Sequence, residues 1–82
     1  MAEEITMKQL VQYMAEALVD HPEKVEVLVV EGENSIIFEL KVAPDDVGKV
    51  IGKGGQTAKA MRKILSAAAT KLNKKSLLQI VE

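Results

Sequence analysis

The residues best placed to do chemistry are the glycines and lysines of Val50-Ile51-Gly52-Lys53-Gly54-Gly55. Gly52 and Gly55 lack Cβ atoms, so an extended polar ligand can approach the peptide plane closely. A helix starting just after Gly55 turns its first N–H groups, which have no helical partner, toward this loop. Those donors and the positive end of the helix form a site for an anion such as a sugar-phosphate backbone. Lys53 adds a charge at the tip, and Lys49, Lys59, Arg62 and Lys63 cluster around it. Such side chains attract phosphates. The competing reading is a tight turn between two helices beside a solvated basic face. Three glycines within four residues exceed what a turn needs, and each carries an entropic cost.

Two other phosphate loops fit badly. A P-loop needs four residues between its glycines and Ser or Thr after the lysine. Here three residues separate Gly48 from Gly52, and Gly54 follows Lys53. The dinucleotide fingerprint fails because Thr57 stands at its third glycine and no acid lies near residue 75. No other constellation suggests catalysis. The chain has no cysteine and one histidine, His21, which sits beside Pro22 and reads as a surface or capping residue. A metal site would need carboxylates alone, and the acids show no ligand-loop spacing, so neither metal nor cofactor is expected. No nucleophile–base pair can be assigned, so an enzyme is not expected.

The loop must be held by flanking elements. Thr6 and Gln9 have capping-box spacing, and Ile5 and Leu10 are placed for a hydrophobic staple, which starts a helix over about 6–20. Met7, Leu10, Val11, Met14 and Leu18 form its apolar stripe, and Asp20-His21-Pro22 should end it. Val25–Val30 reads as a strand and Glu31–Asn34 as a turn. Ile36, Phe38, Leu40 and Val42 alternate with Ile37, Glu39 and Lys41 in a second strand, paired with the first as a hairpin. Pro44, Asp45 and Asp46 suit the start of a short helix. A long helix follows Gly55, its stripe running through Ala58, Met61, Leu65, Ala68 and Leu72, with Asn73 suited to the terminal turn. On it, Lys59 and Lys63 lie outside the stripe, while Arg62 lies at its edge, where its stem can also cover the core rim. Ile64 sits off the stripe, and with Ala67 and Ala68 it is either core edge or a surface for a partner. Ser76–Val81 is a last strand, parallel to the second because two helices cross between them.

Composition narrows the partners. The 82 residues suit one small domain, and 48% are hydrophobic, enough for a packed core. The net charge of −1 hides an asymmetry: residues 1–40 hold two basic and nine acidic side chains, whereas 41–75 hold nine basic and two acidic. The basic half is where an anionic partner would bind. The acidic half would face away and limit non-specific sticking. Lys71, Lys74 and Lys75 read as a solvated face. Tyr13 and Phe38 are the only aromatics, which argues against a surface that reads bases by ring stacking. No apolar run approaches a membrane span, and the acidic start does not resemble a secretory signal. Lack of cysteine fits a reducing cytosol.

Residues 36–81 resemble the core of a K-homology (KH) domain: Val50-Ile51, then Gly52-Lys53-Gly54-Gly55, then an amphipathic helix from Gln56, with a strand on each side. An additional αβ unit ahead of that core resembles the type II arrangement, so the resemblance covers essentially the whole chain, 1–82, with the helix–GxxG–helix unit at about 44–72. It implies an α+β fold of order α-β-β-α-α-β, a three-stranded mixed sheet with three helices on one face. It also implies a clamp for single-stranded RNA: Gly52–Gly55 would grip about four nucleotides, Val50 and Ile51 would wall the bases, and base edges would meet main-chain groups near Leu40 and Lys41. Small bacterial proteins of the KhpA type are similar in holding little beyond one such domain. That likeness implies a cytoplasmic RNA chaperone or post-transcriptional regulator, pairing with itself or with a second KH protein of the Jag (KhpB) type. A KH fold used only for protein contacts and a single-stranded DNA binder are the alternatives.

Overall fold

The computed structural model describes residues 6–81. The elements are α1 (Met7–Leu18), β1 (Glu26–Glu31), β2 (Ser35–Lys41), α2 (Val47–Ile51), α3 (Gln56–Thr70) and β3 (Lys75–Val81). One-turn 3-10 segments occupy Pro22–Lys24, Pro44–Asp46 and Lys53–Gly55. The sheet order is β1-β2-β3, with β1 antiparallel and β3 parallel to β2. This is the α-β-β-α-α-β order of a type II KH fold, with the three helices on one sheet face.

The capping box forms. The Gln9 N–H donates to the Thr6 hydroxyl at 3.1 Å, and the Thr6 N–H donates to the Gln9 side chain at 2.9 Å. The staple through Ile5 falls outside the described residues. Helix α1 stops at Leu18, earlier than the proline rule suggests, and Val19 is already extended. The cause is distant in sequence: the Asp46 carboxylate accepts the N–H groups of Asp20 at 3.2 Å and His21 at 3.0 Å. Those donors serve the tertiary structure rather than another helical turn.

Alternation in β2 comes out as read. Ile36, Phe38 and Leu40 are buried, with Val42 just beyond the strand. They meet Val27 and Val29 of β1, Leu78 and Ile80 of β3, Val11 and Ala15 of α1, and Met61 and Leu65 of α3 in one core. Pro44 starts a 3-10 turn before α2 rather than the helix itself. The buried stripe of α3 is Ala58, Met61, Leu65 and Ala69. Leu72 is 55% exposed, because α3 ends at Thr70 and the chain no longer follows the helical rotation. Asn73, at φ 58°, makes the left-handed terminal turn: the Lys74 N–H donates to Ala69 O and the Asn73 N–H to Thr70 O, both at 3.0 Å.

Candidate nucleic-acid interface

The GxxG loop is built from three positive-φ glycines that differ in why they must be glycine. Gly52 closes α2 at φ 79° and ψ 170°, a region essentially confined to glycine. A Cβ there would lie 2.2 Å from Thr57 Oγ1 and 2.8 Å from the Thr57 backbone nitrogen. Gly54 (φ 63°, ψ 20°) and Gly55 (φ 77°, ψ 11°) are left-handed, and a Cβ on either meets nothing within 4 Å. The chain's own packing therefore dictates Gly52, whereas Gly54 and Gly55 turn an open backbone surface outward.

The loop adds donors one turn ahead of α3, while the first N–H of that helix is taken by a 3-10 turn. The 3-10 turn uses the Gly55 N–H on Gly52 O at 3.1 Å and the Gln56 N–H on Lys53 O. The N–H groups of Lys53 and Gly54 have no acceptor among the described residues. An anion at the tip would meet those two donors, the start of the 15-residue α3 and the exposed Lys53 side chain.

The basic residues divide. Lys53, Lys59 and Lys63 are exposed and form no ion pair among the described residues. Lys59 and Lys63 are one helical turn apart, continuing the positive surface from the loop along α3. Lys49 is engaged instead: its ammonium lies 3.1 Å from Asp20 and 3.4 Å from Asp46. Hydrogen bonds to Asp20 and Asp46 hold its pKa above the ordinary range. Asp46 is fully buried. Burial pushes its carboxyl up, but the N–H donors of Asp20 and His21 and the Lys49 ammonium outweigh this and hold it below the ordinary range. This buried carboxylate anchors the end of α1 to the start of α2. The His21 imidazole is at the surface, 3.8 Å from Glu23. Lys74 pairs with Glu31, so ion pairs join the acidic and basic halves at two places among the described residues.

Three expected groove residues take other places. Val50 is fully buried in the core. In a five-residue helix, Val47 and Val50 share the face toward the core, so only the half-buried Ile51 is left as wall. Leu40 and Lys41 do not offer free main-chain groups. Strand β2 is central and pairs with β1 on one side and β3 on the other, Leu40 with Val27 and Ile80, Lys41 with Glu26 and Val81. The Leu40 side chain is buried, and Lys41 projects on the sheet face opposite the helices. The strand with a free edge beside α3 is β3. On it the Leu78 carbonyl accepts both Arg62 Nε at 3.3 Å and Nη2 at 3.1 Å. Arg62 thus bridges α3 to that edge. The expected direction of the last strand, parallel to the second, does not reveal this, because a strand beside β1 would also run parallel to β2; the pairing of β3 with β2 decides it.

Ile64 is 48% exposed and Ala67 is exposed, while Ala68 is half-buried. They lie on the opposite side of α3 from Arg62. Among the described residues no group of three or more His, Cys, Asp or Glu side chains is arranged to hold a metal. No helix among them is long and apolar enough to cross a membrane.

Residues 8–80 match the family described as "KhpA/KhpB, KH domain". The chain is 56% identical over 75 residues to "RNA-binding protein KhpA" of Clostridium acetobutylicum, covering 92% of this chain and all of that one. The protein of the same name from Clostridium perfringens is 57% identical with the same coverage. That from Aquifex aeolicus is 45% identical over 76 residues, 93% of this chain and 96% of that one. Among solved structures, a variant of Era from Aquifex aeolicus bound to GDP and aluminium fluoride superposes with a TM-score of 0.62 at 21% identity, covering 98% of this chain. Era in complex with MgGDPNP and nucleotides 1506–1542 of 16S ribosomal RNA gives 0.61 at 20%, covering 90% of this chain. This chain spans 32% and 30% of those two Era chains, and the likeness is one of fold.

Proposed function

The chain belongs to the KhpA/KhpB KH-domain family, and from that premise we propose that it binds single-stranded RNA by gripping the sugar-phosphate backbone at Gly52–Gly55. The role is one of binding, not catalysis. The observation that carries the reading is the loop itself: Gly54 and Gly55 face open space, and the Lys53 and Gly54 N–H groups await an acceptor. Lys53, Lys59 and Lys63 supply the attraction to phosphates. Ile51 borders the bases, and the free edge of β3 takes the place first assigned to Leu40 and Lys41. Phe38 is buried, so recognition rests on hydrogen bonds and van der Waals contact more than on ring stacking.

Such a site holds few nucleotides, and pairing raises effective concentration. The protein acts in the cytoplasm as an RNA chaperone or post-transcriptional regulator, joined to a second copy or to a KhpB-type KH protein. Exposed Ile64, with Ala67 and Ala68 letting a backbone come near, supports a partner surface on α3. Ile64→Asp is expected to lower the sedimentation mass of any such pair without changing the circular dichroism.

Binding of a labelled RNA octamer to wild type and Gly54→Asp at two salt concentrations tests the clamp, with matched DNA as competitor. Asp tolerates the left-handed region better than most residues, and its Cβ has room at this position, so the variant folds. Salt-sensitive binding lost by at least about tenfold in the folded variant supports the clamp. Equal binding by both proteins overturns it and favours a protein-contact role. Equal competition by DNA removes the RNA preference.

A further inference from the structure

We infer that Arg62 is a specificity-determining residue, which sets the preferred base by occupying the acceptor on the β3 edge. The inference rests on the RNA-clamp reading and goes beyond it to the choice of base. Strand β3 ends the sheet, so alternate residues turn their main-chain groups outward without a strand partner. Leu78 is one of these, since its carbonyl reaches Arg62 rather than β2. The N–H of a strand residue projects to the same side as its carbonyl, so Leu78 offers a donor and an acceptor side by side. Adenine fits such a pair, with N6 donating and N7 accepting.

Arg62 changes the pattern. Its Nε and Nη2 both donate to Leu78 O, at 3.3 and 3.1 Å, which places the guanidinium over the outward side of that carbonyl and screens it from a base amino group. What remains at this point of the edge is the Leu78 N–H and the outward N–H groups of the guanidinium. An edge of donors alone suits guanine, whose O6 and N7 both accept, and leaves the adenine amino group without an acceptor. The position suits a strand held at the loop. Arg62 lies seven residues beyond Gly55, roughly 10 Å along α3, within the length of the four nucleotides such a loop grips. Its guanidinium is held at two points, so it is preorganised rather than searching solvent.

The test compares two uridine octamers, one with a single central guanine and one with a single central adenine. Each can slide to place its purine at Leu78, and neither forms a hairpin. Wild type is expected to bind the guanine octamer about three- to tenfold more tightly, the range for one hydrogen bond left unmade. Arg62→Met keeps the apolar stem and frees the Leu78 carbonyl, so the ratio should fall within about twofold of unity or invert, though overall affinity drops with the lost charge. Lys59→Met loses a charge without touching Leu78, so it should weaken both octamers alike and keep the ratio. A wild-type preference for adenine, no preference, or a ratio unchanged by Arg62→Met overturns the inference. Gly54→Asp measured alongside separates the two readings. If it binds like wild type while Arg62→Met still shifts the ratio, the loop clamp fails and the edge reading stands. If Gly54→Asp loses binding but the ratio ignores Arg62, the clamp stands and this inference falls. No binding of either octamer overturns both.

Discussion

Alanine at Gly52 and at Gly54 should have unequal consequences, although both glycines have positive φ. At Gly52 the backbone conformation, φ 79° and ψ 170°, costs a side chain about 1–3 kcal/mol. The new Cβ would also lie 2.2, 2.7 and 2.8 Å from Thr57 Oγ1, Cβ and N. The hydroxyl can rotate away, but the other two atoms move only if α3 moves, an overpacking cost of about 1–3 kcal/mol. The total is about 2–6 kcal/mol, set against roughly 4–12 kcal/mol for a domain of this length. At Gly54 the left-handed conformation costs about 1–2 kcal/mol, and no atom lies within 4 Å of the Cβ. Urea unfolding followed by circular dichroism reads the difference through the midpoint at constant slope. Thermal midpoints should fall by roughly 4–16 °C for Gly54→Ala and by at least about 8 °C, and further than for Gly54→Ala, for Gly52→Ala. Adding Thr57→Ala to Gly52→Ala removes only the Oγ1 contact, so it should recover part of the loss at most. Equal losses at the two positions, or a larger one at Gly54, would refute this account of the loop.

Two further outcomes follow from the charged groups. Lys53→Met should weaken RNA binding and reduce the salt slope by about 0.7, the value for one phosphate contact on a single strand. Lys49→Met should change the slope little, because that ammonium is already committed to Asp20 and Asp46, and should lower the unfolding midpoint instead. Stability should also depend on acid through Asp46. Its folded pKa is below the ordinary 3.8, so its contribution is complete above that value and is lost as pH falls through the lower folded value. Thermal midpoints from pH 7 to 2 should show Asp46→Asn well below wild type at pH 7, with the gap narrowing below about pH 4. A constant gap would mean that Asp46 acts by shape alone.

Much of this architecture is legible in local signals. The Thr6–Gln9 box, the alternation of Ile36, Phe38 and Leu40, and the left-handed suitability of Asn73 each involve neighbours within a few residues. The GxxG loop is legible for the same reason. What escapes local reading is long-range. Lys49 looks like a phosphate ligand until Asp20, 29 positions away, takes it. Val50 and Ile51 are alike as residues, and only the rotation of a five-residue helix decides which is buried. The end of α1 depends on a carboxylate 26 residues beyond Asp20. Extending the α3 stripe to Leu72 fails because the Asn73 turn closes the helix first. The free strand edge escapes for the same reason, since a third strand running parallel to the second can lie beside either strand of the hairpin, and only the long-range packing decides which.

Amide chemical shifts during titration with a uridine-rich RNA octamer would locate the RNA on the protein and so decide whether the Gly52–Gly55 loop grips it. The largest changes are expected at Lys53, Gly54 and the start of α3, with further changes along the β3 edge at Leu78. Changes confined to the opposite sheet face, around Leu28, Val30 and Leu77, with Lys53 and Gly54 unmoved, would contradict a grip at that loop.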